Sequence, residues 1–460
     1  MPTQCNPKPM RFARVDRREV MADFGGGAIT SDAGTLLLGA TDRAINLIDR
    51  FAACFTDGRN AGRVVHDVRT LVGQRVFGIA LGYEDLNDHD ELRRDPVIGT
   101  VLERLEARRA RCAPLAGKST LNRLEHAPTA GHRYRKITHD PEAIEHLFVD
   151  LFLDAHAKAP ARITLDLDAT DDPIHGRQEG RFFHGYYDCY CYLPLYIFCG
   201  DHLLAARLRR SNIDASAGAA DEIERIVARV RDRWPRVRIL LRADSAFARE
   251  ALMAWCEDNR VDYLFGLARN ARLVEHIHID LAWAEEEAGR TGKPARRFAD
   301  FRWTTRGSWS RRRRVVAKAE WMPGRGEAGA NPRFVVTSLP AGAMDARVLY
   351  EKLYCARGDM ENRIKECQLD LFADRTSSAT MKANQLRLWF ASMAYVLLAA
   401  LRRKGLAHTR LAKATCATLR LKLMKIGAQV TVSVRRIRIA MASACPYADE
   451  FTLAHARLCR

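Results

Sequence analysis

Between Arg162 and Leu267 the sequence switches repeatedly between two apolar spacings, and that alternation limits the fold more than any other feature. In RITLDLDATDDPIHG, Ile163, Leu165 and Leu167 alternate with Thr164, Asp166 and Asp168, the period of a strand with one buried face. Tyr190–Cys199 reads as an aromatic and apolar strand, Gly200 and Asp201 as a turn, and His202–Arg209 as the returning strand of a hairpin. Asp221–Trp234 then places Ile223, Ile226, Val227 and Val230 at helical spacing. Val237–Arg242 is a further strand, Arg249–Asp258 a helix and Val261–Leu267 a strand. Such a series buries its apolar faces in a mixed sheet with helices packed on it.

The flanking segments read differently. Residues 1–155 are expected to be mostly helical: GGGAITSDAG supplies a flexible entry and a Ser31-Asp32 cap, and Val64–Leu81 and Leu92–Leu105 follow as helices. This region is either a DNA-binding module or a helical scaffold. Residues 270–345 break the pattern, with short strands expected at Arg296–Trp303, Arg311–Trp321 and Arg333–Leu339. Helices return at Leu349–Leu371 and Asn384–Lys404, and Gln429–Ala440 alternates like a strand. The expected class is α/β: a ribonuclease-H-like mixed-sheet core over 156–269, interrupted by a β-rich insertion over 270–345. The helical second part of the core covers 346–405, a helical N-terminal domain 1–155 and a basic C-terminal region 406–460.

Charge narrows the partner. The chain carries 74 Lys and Arg against 56 Asp and Glu, a net charge of +18, which suits a polyanion such as nucleic acid. Arg302–Arg314 holds six arginines and no acid, with Trp303 and Trp309 among them. Arginine interleaved with aromatic rings suits phosphate contact with base stacking, and Arg311, Arg312, Arg313 and Arg314 are its densest part. Residues 402–460 add 13 Lys and Arg against 2 Asp and Glu. The N-terminus lacks a hydrophobic signal core, and the longest apolar stretch, Leu388–Leu401, falls short of the roughly 20 residues that span a bilayer. A cytoplasmic, nucleoid-associated protein with no membrane partner is expected. The 12 cysteines show no framework spacing and read as reduced thiols. Ala116–Thr120 looks like the end of a phosphate-binding loop, but Cys112 stands where the loop needs glycine.

Acidic residues sit where a sheet delivers them. Asp168 ends the first strand and Asp244 follows VRILLR directly. If these strands are parallel neighbours, both carboxylates reach one sheet edge, where open α/β sheets hold ligands. Tyr354, Arg357, Glu361 and Lys365 fall three or four apart, so they share one helix face. Taken alone, that face is either a salt-bridge ladder or part of a site.

DATD at Asp168–Asp171, RADS at Arg242–Ser245 and YCARGDMENRIKE at Tyr354–Glu366 together resemble the DDE transposases of bacterial insertion sequences. The likeness is nearest to insertion-sequence group 1380, within the wider group 4 superfamily, and runs over about residues 20–440. The resemblance implies that Asp168, Asp244 and Glu361 form the catalytic, metal-binding triad. The family's D-x-T selects Asp168, with Thr170, over Asp166. Its Tyr-x2-Arg-x3-Glu is met by Tyr354, Arg357 and Glu361, whereas the lysine seven positions beyond the glutamate is replaced by Gln368. Lys365, one turn after Glu361, is the remaining candidate for that role.

The resemblance further implies two Mg2+ ions, with Mn2+ as a substitute, clamping the attacking and leaving oxygens. The implied partners are double-stranded DNA, both element ends and target, and a second copy of the chain in a synaptic homodimer. Tyr354 and Arg357 are implied to contact phosphates, and Trp303 or Trp309 to stack on a flipped base. The implied activity is cleavage of terminal inverted repeats and strand transfer. The alternatives are a stand-alone metal nuclease of the same fold and an inactive DNA-binding relative.

Overall fold

A computed structural model describes residues 9–107, 109, 112–126, 136–324 and 329–459. The N-terminal stretch read as lacking a signal core lies partly outside these residues. The chain divides into two compact units: Met1–Asp140 with Asp370–Phe372 and Met393–Arg460, and Pro141–Leu369 with Ala373–Ser392.

The second unit is built on one eight-stranded sheet. Its strands in chain order are β1 (Arg162–Ala169), β2 (Leu195–Cys199), β3 (His202–Arg207), β4 (Arg238–Ala243), β5 (Asp262–Leu267), β6 (Ala295–Trp303), β7 (Arg313–Trp321) and β8 (Arg333–Thr337). Across the sheet they run β3-β2-β1-β4-β5-β8-β7-β6. β4 lies parallel to both β1 and β5, whereas β2 is antiparallel to β1 and to β3. The last three strands pair antiparallel and extend this same sheet beyond β5. The segment 270–345 also contains two helices, Ala271–His276 and His278–Thr291, so it is less purely β than its turn-rich sequence suggests.

Strand periodicity sorts the core onto two faces. Ile163, Leu165 and Leu167 of β1 and Leu241 of β4 join a large apolar cluster with Ile223, Ile226 and Val230 of the helix Ala219–Arg233. Each such side chain, taken fully out of water, contributes about 1.5–3 kcal/mol. Leu240, Leu264, Val316 and Val335 face the other way and pack on Leu349 and Tyr350. The even-numbered residues of β1 therefore look toward the helical run that carries Tyr354 and Glu361.

That run is not one uniform helix. Leu349–Tyr354 is a π-helical turn, Cys355–Arg357 tightens to 3-10, Gly358–Lys365 is α-helical and Glu366–Asp370 is again π-helical. π turns inside helices shift the register of side chains and are frequent at functional sites.

Two expected strands are each divided. Tyr190–Cys199 breaks before Leu195. Cys189–Tyr192 belongs to a small three-stranded sheet and only Leu195–Cys199 joins the main one. Pro194 lies in the break and lacks an N–H for a ladder. Gln429–Ala440 forms a hairpin, Ala428–Val432 with Ile437–Met441, whose turn is closed by the Ser433 N–H donating to the Arg436 carbonyl at 2.8 Å.

The first unit is mainly helical, with Thr35–Ile45, Leu47–Ala53 and Val68–Leu81 its first long elements. Ala28–Thr30 pairs with the C-terminal hairpin through Ala428–Val432. No helix among the described residues is long and apolar enough to cross a membrane.

Candidate active site

Asp168 and Asp244 stand at the C-terminal ends of adjacent parallel strands. The register of β1 and β4 pairs Leu167 with Ala243, so each aspartate is the residue that follows this pair, Asp168 still within β1 and Asp244 just past β4. Both follow apolar residues that fix the strands in the core, so the backbone under the carboxylates is rigid. Asp244 also caps the short 3-10 turn Ser245–Phe247, accepting the Ala246 N–H at 3.0 Å.

The helical run supplies the third acid and a cation. Arg357 donates to Asp168 at 3.1 Å and, from its other terminal nitrogen, to Glu361 at 2.9 Å. Asp168, Asp244, Arg357, Glu361 and Lys365 all line one cavity of about 670 Å³. Gln368 lines it too, and its amide donates to the Asp171 carbonyl at 2.9 Å. The side chain at the position of the missing lysine thus ties the helix to the loop after Asp168.

Tyr354 does not line this cavity; it packs on the second apolar cluster, and its hydroxyl comes close to Gly266 because residue 266 has no side chain. A Cβ at Gly266 would lie 2.6 Å from the Tyr354 hydroxyl and 2.8 Å from the Ser245 nitrogen. Gly266 sits one residue past the Ala243–Phe265 pair, beside the Asp244 turn. Burial raises the Tyr354 hydroxyl above its ordinary pKa.

The electrostatics favour a positive guest. Burial pushes the Asp168 carboxyl up to about 6; Arg357 opposes the shift, and the charges of Asp244 and Glu361 add to it. Arg357 itself is held above its ordinary value, because Asp168 and its other charged neighbours outweigh the burial that acts against it. The donor atoms are carboxylate oxygens, which suit a hard divalent cation. Among the described residues, no three acidic, histidine or cysteine side chains converge as a ready-made metal cluster. Instead the Arg357 guanidinium lies between two of the carboxylates and stands in for a cation there. Donor chemistry and stand-in charge both fit a divalent cation at this position.

Asp166 and Asp168 share a strand face but not a situation. Asp166 is buried and pairs with both donor arms of Arg242, one contact being 2.8 Å, while Arg242 also donates to the Leu353 carbonyl. Burial still raises the Asp166 carboxyl despite that arginine. Asp166 therefore locks β1, β4 and the helical run together, and Asp168 is the carboxylate left facing the cavity.

The remaining sequence candidates lie elsewhere in this unit. Trp303 and Trp309 do not line the cavity. Trp303 is half-buried beside His276 with Arg272 4.7 Å from its ring, and Trp309 packs on the core with Arg313 5.5 Å away. Arg313 is buried and paired with Glu250 and Glu257, and Arg314 is buried and paired with Asp300. Arg311 pairs with Glu257 at 3.2 Å but stays exposed, and Arg312 is exposed. In contrast, Tyr186 and Tyr187 line the cavity beside His184, a residue able to contact phosphate, although the sequence patterns give the two tyrosines no part in it. The signal for them is local: FFHGYYDCY is dense in rings and has a turn in its middle.

The chain is similar to the piggyBac transposase in a synaptic complex with hairpin DNA, with a TM-score of 0.37 and 12% identity over 86% of this chain and 80% of that one. No curated protein matches. The family model described as transposase DDE domain group 1 matches residues 12–460. With the match running over nearly the whole sequence, the chain belongs to the DDE transposase family.

Proposed function

We propose that this chain is the transposase of an insertion sequence of the group 1380 type, which binds its element's terminal inverted repeats, cleaves the DNA ends and transfers the strands to target DNA. One observation carries the reading: Asp168 and Asp244 end adjacent parallel strands, and the helical run brings Glu361 into the same cavity. The strand order β3-β2-β1-β4-β5, with β2 antiparallel, supports a ribonuclease-H-like core for that chemistry. Family membership and a net charge of +18 support DNA as the partner.

Asp168, Asp244 and Glu361 would hold the metal ions. When bound, a pair of divalent cations, Mg2+ or Mn2+, supplies Lewis acidity to the attacking and leaving oxygens of an in-line phosphoryl transfer. The chain's own groups do the rest. Arg357, once released from Asp168 and Glu361, is free to neutralise a DNA phosphate at the cavity. Lys365 offers a further donor to the same backbone from within the cavity, and the Tyr354 hydroxyl, outside its lining, is the other donor proposed. Exposed Arg311 and Arg312 hold DNA further along, whereas Arg313 and Arg314 hold the sheet on which those two stand. A synaptic homodimer follows from the need to pair two ends.

The test is incubation of the protein with Mg2+, a target plasmid and a labelled duplex carrying the repeat that flanks the gene. Cleaved ends joined to plasmid are expected. Cutting without joining identifies a stand-alone nuclease, and binding without cutting an inactive relative.

A further inference from the structure

We infer that the aromatic hairpin over residues 182–192, with Tyr186 at its tip, is the platform on which an unstacked DNA base beside the cut comes to rest. The inference rests on the transposase reading above. Phe182–His184 pairs antiparallel with Cys189–Tyr192, and Phe183 lies opposite Tyr190. The turn between them is closed by the Asp188 N–H donating to the His184 carbonyl at 2.8 Å. Asp188 takes the left-handed backbone conformation, with φ of 54°, that this turn requires. The backbone under the tip is thus fixed before any ligand arrives.

The rings on this frame are displayed rather than packed away. Tyr186 is 85% exposed, Phe183 53% and Tyr190 45%. Tyr187 lies beneath the tip, 5.0 Å from the Tyr186 ring and edge-on to it, and 4.9 Å from His184. A soluble chain that holds several large rings in water on a rigid turn has a surface made for contact.

The position of the tip says what that contact is. Tyr186, Tyr187 and His184 share the cavity of Asp168, Asp244 and Glu361, and the space is large enough for a nucleotide. A strand whose phosphate reaches the carboxylates must pass its neighbouring sugar and base along this wall. The wall carries cations as well: Arg249, Arg357 and Lys365 line the same cavity, and the Arg181 guanidinium lies 4.2 Å from the Tyr190 ring centre. Ring faces beside a cationic track are the combination that holds single-stranded nucleic acid, because every base has a face to stack. Trp303 and Trp309, the rings expected for stacking from the sequence, are half-buried against the core and do not line this cavity.

The test uses the full chain and a duplex carrying the flanking terminal repeat, with 2-aminopurine at the nucleotides on either side of the cut. Ca2+ replaces Mg2+, so that the fluorescence is read without turnover. With wild-type protein, one position should unstack from the duplex and be quenched against the platform. With Tyr186→Ala that position should brighten severalfold, while Tyr186→Phe keeps the wild-type signal. Cleavage by Tyr186→Ala in Mg2+ should fall roughly fivefold to a hundredfold, the range of one lost base–aromatic stack. Wild-type fluorescence and cleavage in Tyr186→Ala would overturn the inference. So would normal cleavage with lost dimerisation on DNA, which assigns the hairpin to a second copy of the chain. Wild-type protein that neither binds nor cuts the duplex overturns the transposase reading, and the platform with it.

Discussion

The guanidinium of Arg357 lies 3.1 Å from a carboxylate oxygen of Asp168 and bridges it to Glu361 at 2.9 Å. A cation therefore already occupies the space between two of the acids. The arrangement holds Asp168 and Glu361 together against their mutual repulsion, and under the proposed function it makes Arg357 a competitor of a metal bound there.

Replacing Arg357 tests that competition. In Arg357→Gln the metal-free protein should lose about 1.5–3 kcal/mol, the usual worth of a hydrogen bond to a charged group. The Mg2+ concentration that half-saturates its thermal stabilisation should fall, because no guanidinium has to leave. Scanning fluorimetry across a Mg2+ titration reads both effects. An unchanged half-saturation point would remove Arg357 from the cation position.

The raised Asp168 carboxyl gives a pH dependence with a definite sign. Its folded value of about 6 exceeds the ordinary 3.8. The folded state therefore binds more protons than the unfolded state between these values, and stability falls as pH rises through that window. The loss is on the order of 3 kcal/mol at most. Denaturant titrations in EDTA should show this slope from about pH 4 to pH 6 in the wild type. Asp168→Asn should flatten it and be the more stable protein at pH 7.5. A slope of equal size in the variant would assign the titration to another group.

Asp166 and Asp168 should separate cleanly. Asp166→Ala leaves Arg242 buried without its partner, a change that costs about 3–5 kcal/mol. Its main effect should be a lowered Tm and a lowered folded yield. Asp168→Asn should keep the fold and lose cleavage. If Asp166→Ala folds with wild-type stability yet cannot cut DNA, the two roles are reversed.

Gly266 should tolerate no side chain. The alanine methyl would meet the Tyr354 hydroxyl and the Ser245 backbone at under 3 Å, the nearest contact being 2.6 Å. Overpacking of this kind costs about 1–3 kcal/mol. Gly266→Ala should also slow cleavage, because the displaced parts carry Asp244 and the helical run. Combining it with Tyr354→Ala, which removes one of the two clashes, should recover part of the stability. Equal stability of Gly266→Ala and wild type would contradict the close approach.

Much of the sheet was legible because strands buried on one face announce themselves by period. Ile163, Leu165 and Leu167 placed β1, and the apolar run before Asp244 placed β4, so the two aspartates could be set at one edge. The Tyr354–Lys365 face was legible from helical spacing, although the π and 3-10 turns that flank it were not. Pairings far apart in sequence left no local trace. Nothing near Arg313 indicates Glu250 and Glu257, and nothing near Asp166 indicates Arg242. An arginine-rich stretch therefore read uniformly as a DNA contact, although Arg313 and Arg314 are buried in ion pairs. The aromatic hairpin escaped for a different reason: a turn has no period, and its rings matter only by where the turn is carried.

Asp168, Asp244 and Glu361 are proposed to act together on DNA. The most direct measurement is cleavage and joining of the labelled element end in Mg2+ by wild type, Asp168→Asn, Asp244→Asn and Glu361→Gln. Circular dichroism should confirm that each variant is folded. Each single variant should retain DNA binding and lose strand cleavage by at least about a thousandfold, the scale of a lost charged group in phosphoryl transfer. Cleavage that survives in folded Asp244→Asn or Glu361→Gln would contradict it.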